Sequence, residues 1–151
     1  MSTTDVAERI QELHRGTWDE AVGLVVTSAT RERVEARLEI GATHLQPLGL
    51  VHGGVLASIV ETVASVGAAI DAEVKRQHVV GLENHTSFVR AAREGVLIAT
   101  GTPVTRGRRS QLWDVRIADA EGATIATGRV RLLVLDAGTE VAGAGLKLES
   151  R

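Results

Sequence analysis

Apolar residues recur with different periods along this chain, and each period predicts a different element. Val6, Ile10 and Leu13 share one helical face behind Thr4 or Asp5, either of which can cap it, so a short helix is expected to about His14. Residues 22–29 read as a strand. Residues 32–40 alternate strictly, with Val34, Ala36, Leu38 and Ile40 facing one way and Glu35, Arg37 and Glu39 the other. That alternation marks a half-buried antiparallel strand. Residues 79–90 and 96–105 are further strands, the second following the turn residues Glu94 and Gly95. Residues 110–119 and 124–135 form a hairpin around Asp119-Ala-Glu-Gly122. The Gly- and Ala-rich residues 136–151 show no period and are expected to be mobile.

Between these strands, residues 55–70 read VLASIVETVASVGAAI, an apolar helix expected to end near residues 70–73. A helix that is apolar nearly all round is buried. One long helix, four strands after it and one or two before predict an α+β fold in which an antiparallel sheet wraps the helix. The outer face and edges of that sheet are left for other copies of the chain.

The only charge in those sixteen residues is Glu61. Ser58, Glu61, Thr62 and Ser65 lie at offsets of three, four and seven, which is one narrow helical stripe. A carboxylate in an apolar helix requires partners or a raised pKa, because a bare charge is costly to desolvate. Glu61 is therefore either a structural residue satisfied by hydrogen bonds or a functional one. The preceding residues 46–54, QPLGLVHGG, favour function. Paired glycines let the backbone approach a ligand closely. They also stand at the helix N-terminus, where unpaired N–H groups attract a negative oxygen. A donor so placed at a developing oxyanion contributes roughly 3 to 4 kcal/mol. Gly53 and Glu61, however, are separated by about 12 Å of helical rise. Either the helix packs against a second copy of itself, or the two groups do unrelated jobs.

Composition removes several other classes. At 151 residues the chain is one domain, with a core expected over about residues 20–135. It has no cysteine, so disulfides, thiolate nucleophiles and Cys-based metal sites are excluded. A net charge of −2, two tryptophans, one phenylalanine and no tyrosine argue against nucleic-acid binding. No uncharged apolar run reaches the length of a membrane span, and the first fourteen residues are charged and amphipathic, unlike a secretory leader. No membrane partner is expected, and the cytoplasm is the default location. His14, His44, His52, His78 and His85 lack metal-ligand spacing, so no metal is expected. Ser65 has no G-x-S-x-G elbow around it, and no phosphate loop or dinucleotide fingerprint occurs.

The segment Gln46-Pro-Leu-Gly-Leu-Val-His52-Gly53-Gly54, followed after six residues by Glu61 and one turn later by Ser65, carries a resemblance. Val79-Val-Gly81-Leu, Phe88-Val-Arg90, Ala92-Arg-Glu-Gly95, Arg106-Gly-Arg-Arg109 and Gln111-Leu-Trp113 extend it over roughly residues 35–135. Together they resemble the hotdog-fold acyl-CoA thioesterases, in the branch of the phenylacetate-type, hydroxybenzoyl-CoA, dihydroxynaphthoyl-CoA and enterobactin-proofreading enzymes. The resemblance implies an antiparallel sheet around a central helix, and subunits paired with their helices side by side as homodimers or tetramers. Each site then draws on both chains. Gly53 N–H polarises the thioester carbonyl with help from Gln46, and Glu61 of the other chain attacks it or activates water. Ser65 holds Glu61 or the water, and His52 contacts substrate or stabilises its loop. Arg90, Arg106, Arg108 and Arg109 are candidates for the CoA phosphates, to which arginine is suited, and Asn84 or His85 for the pocket wall. No cofactor is implied beyond CoA as part of an acyl- or aroyl-CoA substrate. Val55, Ile59 and Val63 are expected to form an aliphatic lining.

Two rival readings differ in class. A hotdog dehydratase or hydratase places its acid and histidine differently, and crotonyl-CoA hydration separates it. A non-catalytic acyl-CoA binding module would bind esters stoichiometrically without releasing thiol.

Overall fold

The structure is a computed structural model and describes residues 4–146. Two short helices, α1 (Ala7–Leu13) and α2 (Trp18–Ala21), precede strands β1 (Val25–Ala29) and β2 (Val34–Glu39). The long helix α3 (Gly53–Val74) follows, then β3 (Gln77–Phe88), β4 (Val96–Arg106), β5 (Ser110–Ala118) and β6 (Thr124–Asp136). The six strands form one antiparallel sheet in the order β1-β2-β4-β5-β6-β3, so β3 is an edge.

α3 lies against the inner face of this sheet and buries Leu56, Ile59, Val60, Val63 and Ala64 there. Missing side chains let helix and sheet approach. A Cβ on Gly101 would stand 2.6 Å from Val63, and one on Gly128 2.5 Å from Val60. Gly67 on the helix itself accommodates the buried Trp113 ring, which a Cβ would meet at 2.3 Å. By length and composition α3 could cross a membrane, yet it is the helix around which the sheet is built.

Three expectations change. The first strand begins at Val25 rather than residue 22, because α2 occupies one turn and Gly23, at φ 72°, turns the chain into the strand. α3 starts at Gly53 because His52 caps it, its Nδ1 accepting from Gly54 N–H at 2.9 Å. Within the tail, Glu140–Val141 (β7) and Ala144–Gly145 (β8) pair as a small hairpin. The mobility expected of residues 147–151 concerns positions outside the described residues.

Candidate active site

The loop before α3 is closed by its own backbone. Gln46 N–H donates to Leu50 C=O and Gly49 N–H to Gln46 C=O, each at 2.8 Å. Gly49 makes this turn at φ 73°, and Arg93 Nη1 donates to the Leu48 and Gly49 carbonyls at 3.0 and 3.2 Å. Gln46 Oε1 accepts from Leu48 N–H, which leaves the amide nitrogen of Gln46 as its donor end. At the helix start the two glycines differ. Gly54 N–H is taken by His52, whereas among the described residues no acceptor takes Gly53 N–H. Because His52 Nδ1 accepts, the imidazole proton sits on Nε2. Gln46, Gly53, Phe88 and Arg90 share a cavity of about 290 Å³.

Glu61 lies two turns along α3 and is half-buried rather than sealed in the core, because the sheet leaves this side of the helix open beside edge strand β3. Asn84 Nδ2 donates to Glu61 Oε2 at 3.0 Å and to Ala57 C=O at the same distance. Thr86 Oγ1 in turn donates to Asn84 Oδ1 at 2.6 Å. Ser65 Oγ lies 3.4 Å from Glu61 Oε1. These contacts fix the carboxylate plane from one side. Ala57, Ser58, Glu61, Asn84, Thr86 and Phe88 border a cavity of about 360 Å³. Within one protomer Gly53 and Glu61 thus open into different cavities, with Phe88 between them.

A bulge in β3 arranges this contact. The pairing with β6 slips between Gly81 and Glu83, so Leu82 is an extra residue. Without the slip, Gly81 and Asn84 would point to opposite faces. With it, both face Glu61. Gly81 is the close approach: a Cβ there would stand 2.6 Å from Glu61 Oε1. An isolated glycine within a strand pattern signals a bulge or a close approach, and that signal could have singled it out. Gly81→Ala should displace the carboxylate and lower turnover about a hundredfold, the effect of a roughly 1 Å misplacement, with little change in melting temperature. Steady-state kinetics beside a thermal melt check it.

The remaining candidates separate. His85 points to the outer face of the sheet, into a cavity of about 630 Å³ with Arg33, Asp114 and Arg129. Strand alternation therefore assigns Asn84 and Thr86, not His85, to the Glu61 side. Thr62 leaves the polar stripe to donate to Asp19 at 2.6 Å. Ile59 and Val63 face the sheet and are fully buried. Of the four arginines, Arg90 stands with Gly53. Arg106 and Arg108 border a cavity with Lys75 at the far end of α3, about 21 Å of helical rise from Glu61. Arg109 adjoins them in sequence, its carbonyl accepting from Val134 N–H at 2.9 Å.

Arg106 is engaged there in a network that residue patterns do not reveal. It donates to Glu32 at 3.0 and 3.1 Å and to Arg31 C=O at 3.0 Å. Beside it Asp71, 0% exposed, accepts from Arg31 and Lys75 at 2.6 Å and from Gln111 at 3.1 Å. Gln111 accepts from Trp113 Nε1 at 2.9 Å. Burial pushes the Asp71 carboxyl up, but the bonds from Lys75 and Arg31 outweigh it and hold the group below its ordinary value. Among the described residues no group of three or more His, Cys, Asp or Glu is placed to hold a metal ion.

A six-stranded antiparallel sheet around one long helix, with a carboxylate on that helix and a bare N–H at its start, defines the class: a hotdog protein. Residues 48–126 match the Thioesterase superfamily. A Mycobacterium tuberculosis protein named as a candidate esterase is 38% identical over 122 residues, which cover 80% of this chain and 87% of that one. The proofreading thioesterase EntH of Cronobacter sakazakii is 33% identical over 80% of this chain and 87% of its own. A solved thioesterase structure from Haemophilus influenzae superposes with a TM-score of 0.85 at 26% identity, covering 91% of this chain and 95% of that one. The chain belongs to the Thioesterase superfamily, and thioester hydrolysis is the activity this membership supports.

Proposed function

We propose that the protein is a cytoplasmic acyl-CoA thioesterase, hydrolysing an acyl- or aroyl-CoA to free acid and CoA in a site shared by two subunits. The observation that carries the reading is the placement of Glu61, tied on one oxygen by Asn84 and resting on Gly81, in a separate cavity from the unengaged Gly53 N–H. The thioester carbonyl sits against Gly53 N–H and Gln46 Nε2 of one subunit. Glu61 of the partner subunit approaches its carbon. Two routes use this geometry. In one, Glu61 attacks the carbonyl carbon, the C–S bond breaks to release CoA thiolate, and water hydrolyses the anhydride. In the other, Glu61 takes a proton from water as its oxygen adds, and the same C–S bond breaks. In both, charge develops on the carbonyl oxygen where the N–H donor stabilises it. Arg90, beside Gly53, is the arginine best placed for the CoA portion; no cofactor is needed.

The second subunit is supported by the edge. β3 is unpaired on its outer side, and Leu82 and Phe88 on it are 57% and 60% exposed. An unpaired edge strand of twelve residues is a template for another strand. Shared sites predict complementation. Gly53→Pro removes one N–H at the first helical position, where proline is tolerated, and His52 already has the extended backbone that a following proline requires. The new ring must displace the exposed Phe88 side chain. Glu61→Ala and Gly53→Pro should each be inactive alone. Co-expressed, half the dimers are mixed and each keeps one intact site of two, so about a quarter of wild-type activity should return. No recovery in mixed dimers of intact fold would overturn the shared site.

A further inference from the structure

A further cavity, of about 550 Å³, lies further along α3 and belongs to neither part of the site above. Ala69, Val79, Ala137 and Leu146 supply its apolar lining, beside Arg76, Gln77, His78 and the paired Arg9 and Glu73. Helix geometry aligns it with the carboxylate. Ser65 and Ala69 follow Glu61 by one and two turns on the same face, and all three are half-buried while Ala64, Val66, Gly67, Ala68 and Ile70 around them are buried. On β3, Val79 shares a face with Gly81, the residue against which Glu61 rests. Between Glu61 and the cavity lie Ser65 and Ala69 on α3 and Gly81 and Val79 on β3, none of them larger than valine.

We propose that this cavity receives the far end of the acyl chain, making the substrate class thioesters of flexible, medium-length aliphatic acids. The inference rests on the hydrolytic function proposed above and narrows it. Eight residues of α3 separate Glu61 from Ala69, a rise of about 12 Å. An extended alkyl chain advances roughly 1.25 Å per carbon at ordinary bond lengths and angles, so about ten carbons reach the cavity. A benzoyl ring stops near Ser65 and leaves the cavity unfilled. The methylenes beyond it gain from burial against Ala69, Val79 and Leu146. Ala69 and Val79 are then specificity-determining positions, because a larger side chain at either fills the cavity.

The test is thiol release by the full chain from butyryl-, octanoyl-, decanoyl- and benzoyl-CoA, with Ala69→Phe and Val79→Phe alongside. The protein has no cysteine and is silent to the thiol dye. Wild type should favour decanoyl- over butyryl- and benzoyl-CoA by tenfold or more in kcat/KM, and each variant should lower the decanoyl-to-butyryl ratio at least tenfold. The two variants enter the cavity from different elements, and the wild-type profile requires neither to fold. A flat profile, a preference for benzoyl-CoA, or an unchanged ratio in a folded variant would overturn the inference. If wild type hydrolyses none of the esters, the hydrolytic reading fails instead. Calorimetric binding of decanoyl-CoA then decides the cavity: affinity reduced tenfold by Ala69→Phe supports it, and equal affinity sinks it.

Discussion

Glu61→Ala is expected to reduce CoA-ester turnover by about 10²- to 10⁴-fold, the usual contribution of a positioned acid or base, while leaving the protein folded. The side chain is half-buried and borders a cavity, so truncation removes no core packing. The loss should fall on kcat and kcat/KM together, because in the proposed mechanism the group acts in the transition state and not in holding CoA. Glu61→Gln is the sharper variant. It keeps the volume beside Gly81 and can still accept the Asn84 hydrogen bond, yet an amide neither attacks a thioester nor takes a proton. Single-turnover thiol release at saturating substrate is the measurement. If both variants turn over CoA esters at near-wild-type rates, the assignment of Glu61 is wrong.

Asp71→Ala should have the largest effect on stability. Breaking a buried ion pair by removing one partner typically costs about 3 to 5 kcal/mol. Here the low end applies: Arg31 and Lys75 have side chains 35% and 43% exposed and can return to water. The buried Gln111 amide cannot, and it loses its carboxylate acceptor. A loss of about 3 kcal/mol lowers the melting temperature of a chain this size by about 10 °C. The sign of the pH dependence follows from the lowered pKa. The unfolded chain binds a proton at the ordinary Asp value of about 3.9, the folded chain only at lower pH. The Asp71 contribution is therefore in place above the ordinary value and disappears as pH falls through the folded one. Denaturant melts from pH 7 down to pH 3 should show the wild-type advantage over Asp71→Ala shrinking at the acid end. A constant difference would mean that Asp71 contributes through packing alone.

Elements whose periodicity is local were legible before any coordinates. The alternation of Val34, Ala36 and Leu38 is the inner face of β2, each of them buried. The apolar run around Glu61 is the central helix. The site was legible only where it lies in contiguous chain, as in the QPLGLVHGG loop and the Glu61–Ser65 spacing. What escaped was long-range. Asp71 reads as one more acid near a helix end, and nothing nearby in sequence announces Arg31 or Gln111, both 40 residues away. The aliphatic lining expected from Ile59 and Val63 failed for a related reason. A helix that is apolar all round does not declare which face meets the sheet.

From the sequence alone came the fold class, the order of the main helix and the six sheet strands, the carboxylate and the glycine pair, because these depend on period and on residue type over a few turns. The tertiary structure decided which groups meet. The bulge at Leu82 turns both Gly81 and Asn84 toward Glu61, strand alternation sends His85 to the opposite face, and Arg106 is drawn to Glu32 beside a buried Asp71. A one-residue slip in register exchanges the two faces of a strand, and the sequence marks this one only by the isolated Gly81 beside it.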